Sequence, residues 1–116
     1  MQYLLLIYQN EAQAGTASPA QMAAMHREYG AFTQSIVKSG NFKAGDALQA
    51  TSTATTVRVR DGKTMTTDGP FAETREQLAG YYLVEAKNLD EATSLAARIP
   101  SAKFGSIEVR PIRKFD

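Results

Sequence analysis

Residues 3–8 read Tyr-Leu-Leu-Leu-Ile-Tyr, an uninterrupted apolar run in a chain of 116 residues. A strand with one face in water alternates apolar and polar residues, whereas a strand covered on both faces is apolar throughout. The run is far too short to span a bilayer, and it lacks the basic flank of a secretory signal. We therefore predict a central strand here, covered on both faces or on one face with a partner on the other, followed by a polar loop over residues 9–17.

A long helix is predicted next, because residues 18–21 combine three features of a helix start. Ser18 can accept a hydrogen bond as the N-cap, Pro19 has the φ angle of the first turn, and Gln21 can complete a capping box. The apolar side chains that follow recur every three or four residues: Met22, Met25, Tyr29, Phe32 and Ile36. This spacing places them on one face of the helix, directed at a sheet.

A β-hairpin is predicted at residues 61–62, Asp-Gly, because they separate two strand-like segments, Thr55–Arg60 and Lys63–Thr67. This dipeptide is among the strongest signals for a two-residue hairpin loop. Strand alternation then places Val57 and Val59 on one face of the hairpin.

The hairpin pattern ends at residues 68–71, Asp-Gly-Pro-Phe, which predict a turn. Gly69 supplies backbone freedom, and Pro70 has no N–H to donate to a neighbouring strand. We expect Phe71 to fill the core beneath this turn.

Four further segments complete the pattern: an irregular strand around residues 42–48, a strand over residues 79–86, a helix between Asn88 and Pro100, and a last strand around Ile107 and Val109. The order strand, helix, strand, hairpin, strand, helix, strand is the βαββαβ, ferredoxin-like plan with one extra hairpin. We therefore predict an α+β fold with a largely antiparallel sheet, in a single domain over residues 1–116.

Two helices cover only one face of such a sheet. A chain of this size cannot leave the whole second apolar face in water, and a second copy is the simplest cover for it. We therefore predict a homodimer in which the two sheets pack face to face.

The composition argues against several classes of partner and chemistry. With 13 basic and 12 acidic residues the formal net charge is +1, which gives no electrostatic reason to expect nucleic acid or a membrane as partner. The absence of cysteine excludes disulfides and cysteine nucleophiles, and it is compatible with the cytoplasm, where we expect the protein to reside. No phosphate-binding glycine loop or metal-ligand cluster occurs, so we predict neither metal nor cofactor.

His26 is the main candidate for chemistry, because it is the one histidine and lies at the edge of the apolar helix face. An imidazole in that position could reach a cleft as general acid or base, or it could be an ordinary boundary residue. Asp68 is the first candidate for a carboxylate that orients the imidazole, although turn chemistry alone also explains an aspartate there. Asp46 is the second candidate.

Three other side chains are candidates for contacting a ligand. Tyr29 follows His26 on the apolar helix face, and Tyr82 lies on the opposite sheet face from Tyr81, so one of the two tyrosines can line a cleft. Arg58 could attract an anionic ligand, although a solvated strand face also explains an arginine there.

The longest recognisable motif is residues 66–82, Thr-Thr-Asp-Gly-Pro-Phe-Ala-Glu-Thr-Arg-Glu-Gln-Leu-Ala-Gly-Tyr-Tyr. It resembles the characteristic sequence of DGPF-domain proteins in the YCII-related superfamily, and residues 1–8, 29–32 and 106–111 resemble the flanking parts of that family. The resemblance implies a dimeric α+β barrel with a cleft between helix and sheet in each subunit.

The resemblance also implies two alternative functions. YCII relatives are regarded as possible enzymes that use a His and Asp pair, and one branch acts on chlorinated hydroxyquinones. By this resemblance, His26 with Asp68 or Asp46 would act on a small polar or aromatic molecule without a cofactor. Alternatively, since DGPF proteins are often associated with extracytoplasmic-function sigma factors, the chain would be a non-catalytic accessory or regulatory binding protein.

Overall fold

The computed structural model describes residues 1–115, which form six strands, three helices and two short 3-10 turns. The strands are β1 (Gln2–Gln9), β2 (Phe42–Ala47), β3 (Thr55–Arg60), β4 (Lys63–Asp68), β5 (Gln77–Glu85) and β6 (Ser106–Pro111). The helices are α1 (Glu11–Ala14), α2 (Pro19–Lys38) and α3 (Leu89–Ala97), and the 3-10 turns are Thr51–Thr53 and Pro100–Lys103.

Four strands form an antiparallel sheet in the order β2-β5-β1-β6. This order, with two long helices in the connections, is the ferredoxin-like α+β arrangement predicted from the element order. The apolar run at residues 3–8 forms the strand β1, which pairs with β5 on one side and β6 on the other. Its central place in the sheet is therefore confirmed.

The core lies between the sheet and the helices, on one face of β1. Tyr3, Leu5 and Ile7 point into it and are buried, whereas Leu4 and Leu6 on the opposite face are only half-buried. The buried helix residues that meet them are Phe32, Ile36, Ala92, Leu95 and Ala96, followed by Ile99 after α3. Within one chain, β1 is thus covered on one face and not on both.

Helix α2 begins as the sequence predicts. Gln21 donates its backbone N–H to Ser18 Oγ at 3.1 Å, and Ser18 donates its backbone N–H to Gln21 Oε1 at 2.8 Å, which completes the capping box. The predicted apolar face is buried only in its second half, since Met22 is 52% exposed where the first turns of α2 border an open cleft. The short helix α1 occupies part of the expected loop because the Asn10 side chain caps it.

The predicted hairpin is present and forms a separate two-stranded sheet, the arm (residues 55–68). Asp61 and Gly62 both have positive φ, 51° and 74°, as a type I′ turn requires. Phe71 does not fill the core: it is 78% exposed. The expectation was wrong because the arm does not belong to the main sheet, so no core lies beneath the turn that ends it.

The close approach of Gly105 to β1 gives a stability prediction. A Cβ at Gly105 would collide with the backbone oxygen of Tyr8, whereas a Cβ at Gly30, on the exposed side of α2, meets no atom within 4 Å. We expect Gly105→Ala to lower the free energy of unfolding by about 1–3 kcal/mol. Gly30→Ala, the matched control, should raise it by about 0.5–1 kcal/mol through helix propensity. Urea denaturation measures both, and equal effects would contradict the packing described here.

Candidate functional site

A cleft of about 460 Å³ opens between α2 and the core-facing side of the sheet; we call it the inner cleft. Its volume is in the range of small-molecule sites, about 300–1,000 Å³. The wall is apolar where it is formed by Ile7, Met25 and Phe42, and the polar side chains in it are Gln9, His26, Tyr29, Thr33, Tyr82 and Ser101. Gly45 and Gly80 also line it, and the absence of a Cβ lets the Tyr82 ring approach Gly45 and the Asp46 backbone approach Gly80.

Three of these polar side chains form a hydrogen-bonded chain, the hydroxyl relay (Tyr29, Ser101 and Gln9). Ser101, which is 2% exposed, lies 2.5 Å from Tyr29 Oη and donates to Gln9 Oε1 at 3.3 Å. Since the single serine proton goes to Gln9, the Tyr29 hydroxyl donates to Ser101. The Tyr29 oxygen therefore keeps lone pairs that can accept a hydrogen bond from a molecule in the cleft.

The position of Tyr29 also keeps it uncharged at neutral pH. Burial raises the pKa of Tyr29 above its ordinary value near 10. A second pair, Thr33 Oγ1 and Tyr82 Oη, lies 2.7 Å apart in the same cleft. Apart from His26, the polar side chains of the inner cleft are thus hydroxyl and amide groups.

His26 lies at the rim of the inner cleft and is exposed to solvent. Among residues 1–115, no hydrogen bond or ion pair joins it to another side chain. Asp46 contributes to the same cleft, but its carboxylate accepts a hydrogen bond from Tyr81 Oη at 2.7 Å on the opposite sheet face. That hydrogen bond, together with the carboxylate charge, raises the pKa of Tyr81.

The remaining predicted site residues lie elsewhere. Asp68 is exposed at the end of β4, at the foot of the arm, and lines neither cleft described here. Arg58 is half-buried in the arm, where its Nη2 donates to the backbone oxygen of Phe71 at 3.4 Å. The structure therefore brings His26, Tyr29 and Tyr82 together and leaves Asp68 and Arg58 outside.

A second, larger cleft of about 650 Å³ adjoins the first; we call it the outer cleft. It lies between α1, the start of α2 and the turn after α3, and its apolar side chains include Met22 and Phe104. Gln9, Met25 and His26 line both clefts, so the two meet at these three residues.

Sequence reasoning did not identify Gln9, Thr33 or Ser101. Gln9 carried a usable signal, because it is the first polar residue after the apolar run of the central strand. Ser101 carried no such signal, since its place depends on how the turn Pro100–Lys103 returns to the end of β1.

In the described part of the chain, no group of three His, Cys, Asp or Glu side chains is placed to hold a metal ion. No helix among residues 1–115 combines the length and the apolar character needed to cross a membrane.

Comparisons with known proteins agree over the whole chain. A family model described as the YCII-related domain matches residues 1–116. An uncharacterised protein of Rhizobium meliloti (strain 1021) is 37% identical over 114 residues, which span 97% of this chain and 92% of the relative.

The buried hydroxyl of Tyr29 gives a prediction with a defined pH dependence. Because its folded pKa is raised, the unfolded chain loses this proton at lower pH than the folded protein, so stability falls as pH rises above about 10. Tyr29→Phe removes the titration and should flatten that alkaline loss. At neutral pH the variant should lose about 1–2 kcal/mol, since Ser101 loses a hydrogen-bond partner. Urea denaturation between pH 8 and 11, with Tyr8→Phe as control, checks both effects; parallel curves for wild type and Tyr29→Phe would contradict the assignment.

Proposed function

The chain belongs to the YCII-related domain family, and on that premise we propose that it binds a small aromatic or hydroxylated molecule in the inner cleft, where His26 exchanges a proton with the ligand. The observation that carries this proposal is the hydroxyl relay, because it presents the Tyr29 oxygen as an acceptor beside an apolar wall. Pockets of this kind bind through their apolar surface and select through a few placed polar groups.

Aromatic side chains favour an aromatic ligand. Tyr82 is in edge-to-face contact with Phe32 at 5.3 Å between ring centroids and with Phe42 at 6.3 Å. A ligand ring that enters the inner cleft would extend this cluster, which adds about 0.5–1.5 kcal/mol for each aromatic pair beyond burial. A hydroxyl on the ring would donate to Tyr29.

The role of His26 in this proposal is proton exchange at the cleft mouth without a carboxylate partner. An exposed imidazole equilibrates readily with solvent, and it can take a proton from a ligand hydroxyl or return one. The chemistry requires no metal or redox cofactor.

A second candidate function is non-catalytic binding by an accessory or regulatory protein, for instance in a sigma-factor system. The observation that favours it is the exposed His26 ring, which no carboxylate orients among residues 1–115. Both candidates use the same cleft, and they differ in whether His26 is needed after the ligand has bound.

Ligand binding can be tested by proton NMR, because the single histidine gives one unambiguous imidazole signal. We expect catechol and hydroquinone to shift the His26 resonance on titration, and Tyr29→Phe to weaken their binding about tenfold through the lost hydrogen bond. Tyr8→Phe, which removes a hydroxyl outside both clefts, is the matched control and should leave binding unchanged. Absence of any shift, or equal binding by Tyr29→Phe, would overturn the proposed site.

His26→Gln separates the two candidates. Under the catalytic proposal the variant still binds these diphenols but loses any turnover that product analysis detects for wild type. Under the binding proposal, wild type leaves the diphenols chemically unchanged, and the variant binds them as well as wild type does. Because His26 is exposed, we expect the variant to fold as wild type does, and the midpoint of urea denaturation checks this.

We also propose that the protein is a homodimer whose sheets face one another. The face opposite the helices carries the half-buried side chains of Leu4, Leu6 and Leu83, and a second copy would remove this apolar surface from water. The arm supports the same arrangement, because an isolated two-stranded hairpin is marginally stable in water. Its apolar residues Val57 and Val59, 59% and 58% exposed, would gain cover from a partner.

Sedimentation analysis tests the homodimer. We expect wild type to have roughly twice the chain mass of 12.6 kDa, and Leu4→Lys or Leu83→Lys to shift the equilibrium to monomer because a charge would be buried in the interface. Val37→Lys, at a position 55% exposed on α2, is the control and should remain dimeric. A monomeric wild type at micromolar concentration would rule the dimer out.

A further inference from the structure

We infer that the natural ligand is an elongated amphiphile, with a phenolic or hydroxylic head in the inner cleft and an uncharged alkyl chain in the outer cleft. This inference rests on the proposed function, since it assumes that the inner cleft holds the head. It adds the chemical class of the rest of the ligand.

The first argument is the continuity of the two clefts. Gln9, Met25 and His26 line both, so a molecule anchored beside Tyr29 and extended past His26 enters the outer cleft directly. The hydroxyl relay ends at Gln9, one of the three residues at which the clefts meet. Beyond this point, the wall loses its tyrosine hydroxyls and combines amide side chains with the apolar side chains of Met22, Met25 and Phe104.

The second argument is the chemistry of the outer cleft. Met22 and Phe104 are large apolar side chains that are 52% and 55% exposed there. Besides His26, Glu28 is the ionisable side chain in this wall, and its carboxylate is paired with Lys103 Nζ at 3.7 Å. Methionine adapts its shape to flexible apolar partners.

Three polar side chains of the wall are already hydrogen-bonded to the backbone: Asn10 caps α1, Gln21 completes the capping box of α2, and Thr16 donates to the Gln13 oxygen. The apolar side chains are therefore the surface that this wall offers to a ligand, and a neutral hydrocarbon chain fits it better than a charged group.

The third argument is that Met22 is apolar although it does not contribute to the hydrophobic core. Met22 belongs to the same helix face as the buried Phe32 and Ile36, yet that face continues past the sheet into the open cleft. The apolar face of α2 therefore extends beyond the part of the sheet on which the helix packs. At about 650 Å³, the outer cleft has room for a chain of several carbons.

A homologous series of 4-alkylphenols, from phenol to 4-hexylphenol, tests the inference through the His26 NMR signal. Each buried methylene should tighten binding by up to about fourfold, with a plateau once the chain leaves the cleft. Met22→Ser combined with Phe104→Ser should remove most of this gain and leave the affinity for phenol within about twofold of wild type. Val37→Ser, at an equally exposed apolar position of α2 outside both clefts, should keep the full gain.

The outcomes distinguish this inference from the function on which it rests. Phenol binding without a gain along the series would overturn the amphiphile and leave the inner cleft as a site for small ligands. A gain that persists in the double serine variant would place the chain elsewhere and would also overturn it. If neither phenol nor any member of the series binds, the proposed function itself fails.

Discussion

The backbone pairing of β1 with both β5 and β6 is the constraint on which the rest of the molecule depends. It fixes β1 in the middle of the sheet, and strand alternation then divides its apolar side chains between two faces. Tyr3, Leu5 and Ile7 meet the helices and form the core, while Leu4 and Leu6 are left on the open face. The cleft and the surface proposed for dimerisation are therefore opposite sides of one strand arrangement.

Much of this fold was predictable because its signals are local. The capping box of Ser18 and Gln21, the Asp-Gly turn of the hairpin and the apolar run of β1 each depend on residues close in sequence. The place of Phe71 was not predictable in this way. Whether an apolar residue after a turn is buried depends on which sheet its strand joins, and that is decided by contacts distant along the chain.

The same difference between local signals and contacts distant along the chain applies to the candidate site. His26, Tyr29 and Tyr82 were identified because helix and strand periodicity places them on faces that meet in a ferredoxin-like fold. Ser101 and Gln9 were not, since they are 92 positions apart and meet only when the turn after α3 packs on the end of β1. Asp68 and Arg58 were predicted from their charge and from the local strand and turn pattern, and the arm holds both of them away from the cleft.

The arm has an evolutionary consequence. Its strands pair with each other, and backbone contacts such as the hydrogen bond from Gly69 N–H to the Ala54 oxygen tie its foot to the body. Substitutions or insertions near the Asp61-Gly62 tip would change an exposed surface and leave the cleft walls intact, because residues 55–68 line neither cleft. A protein with this fold can therefore vary the length and sequence of this hairpin without rebuilding its core.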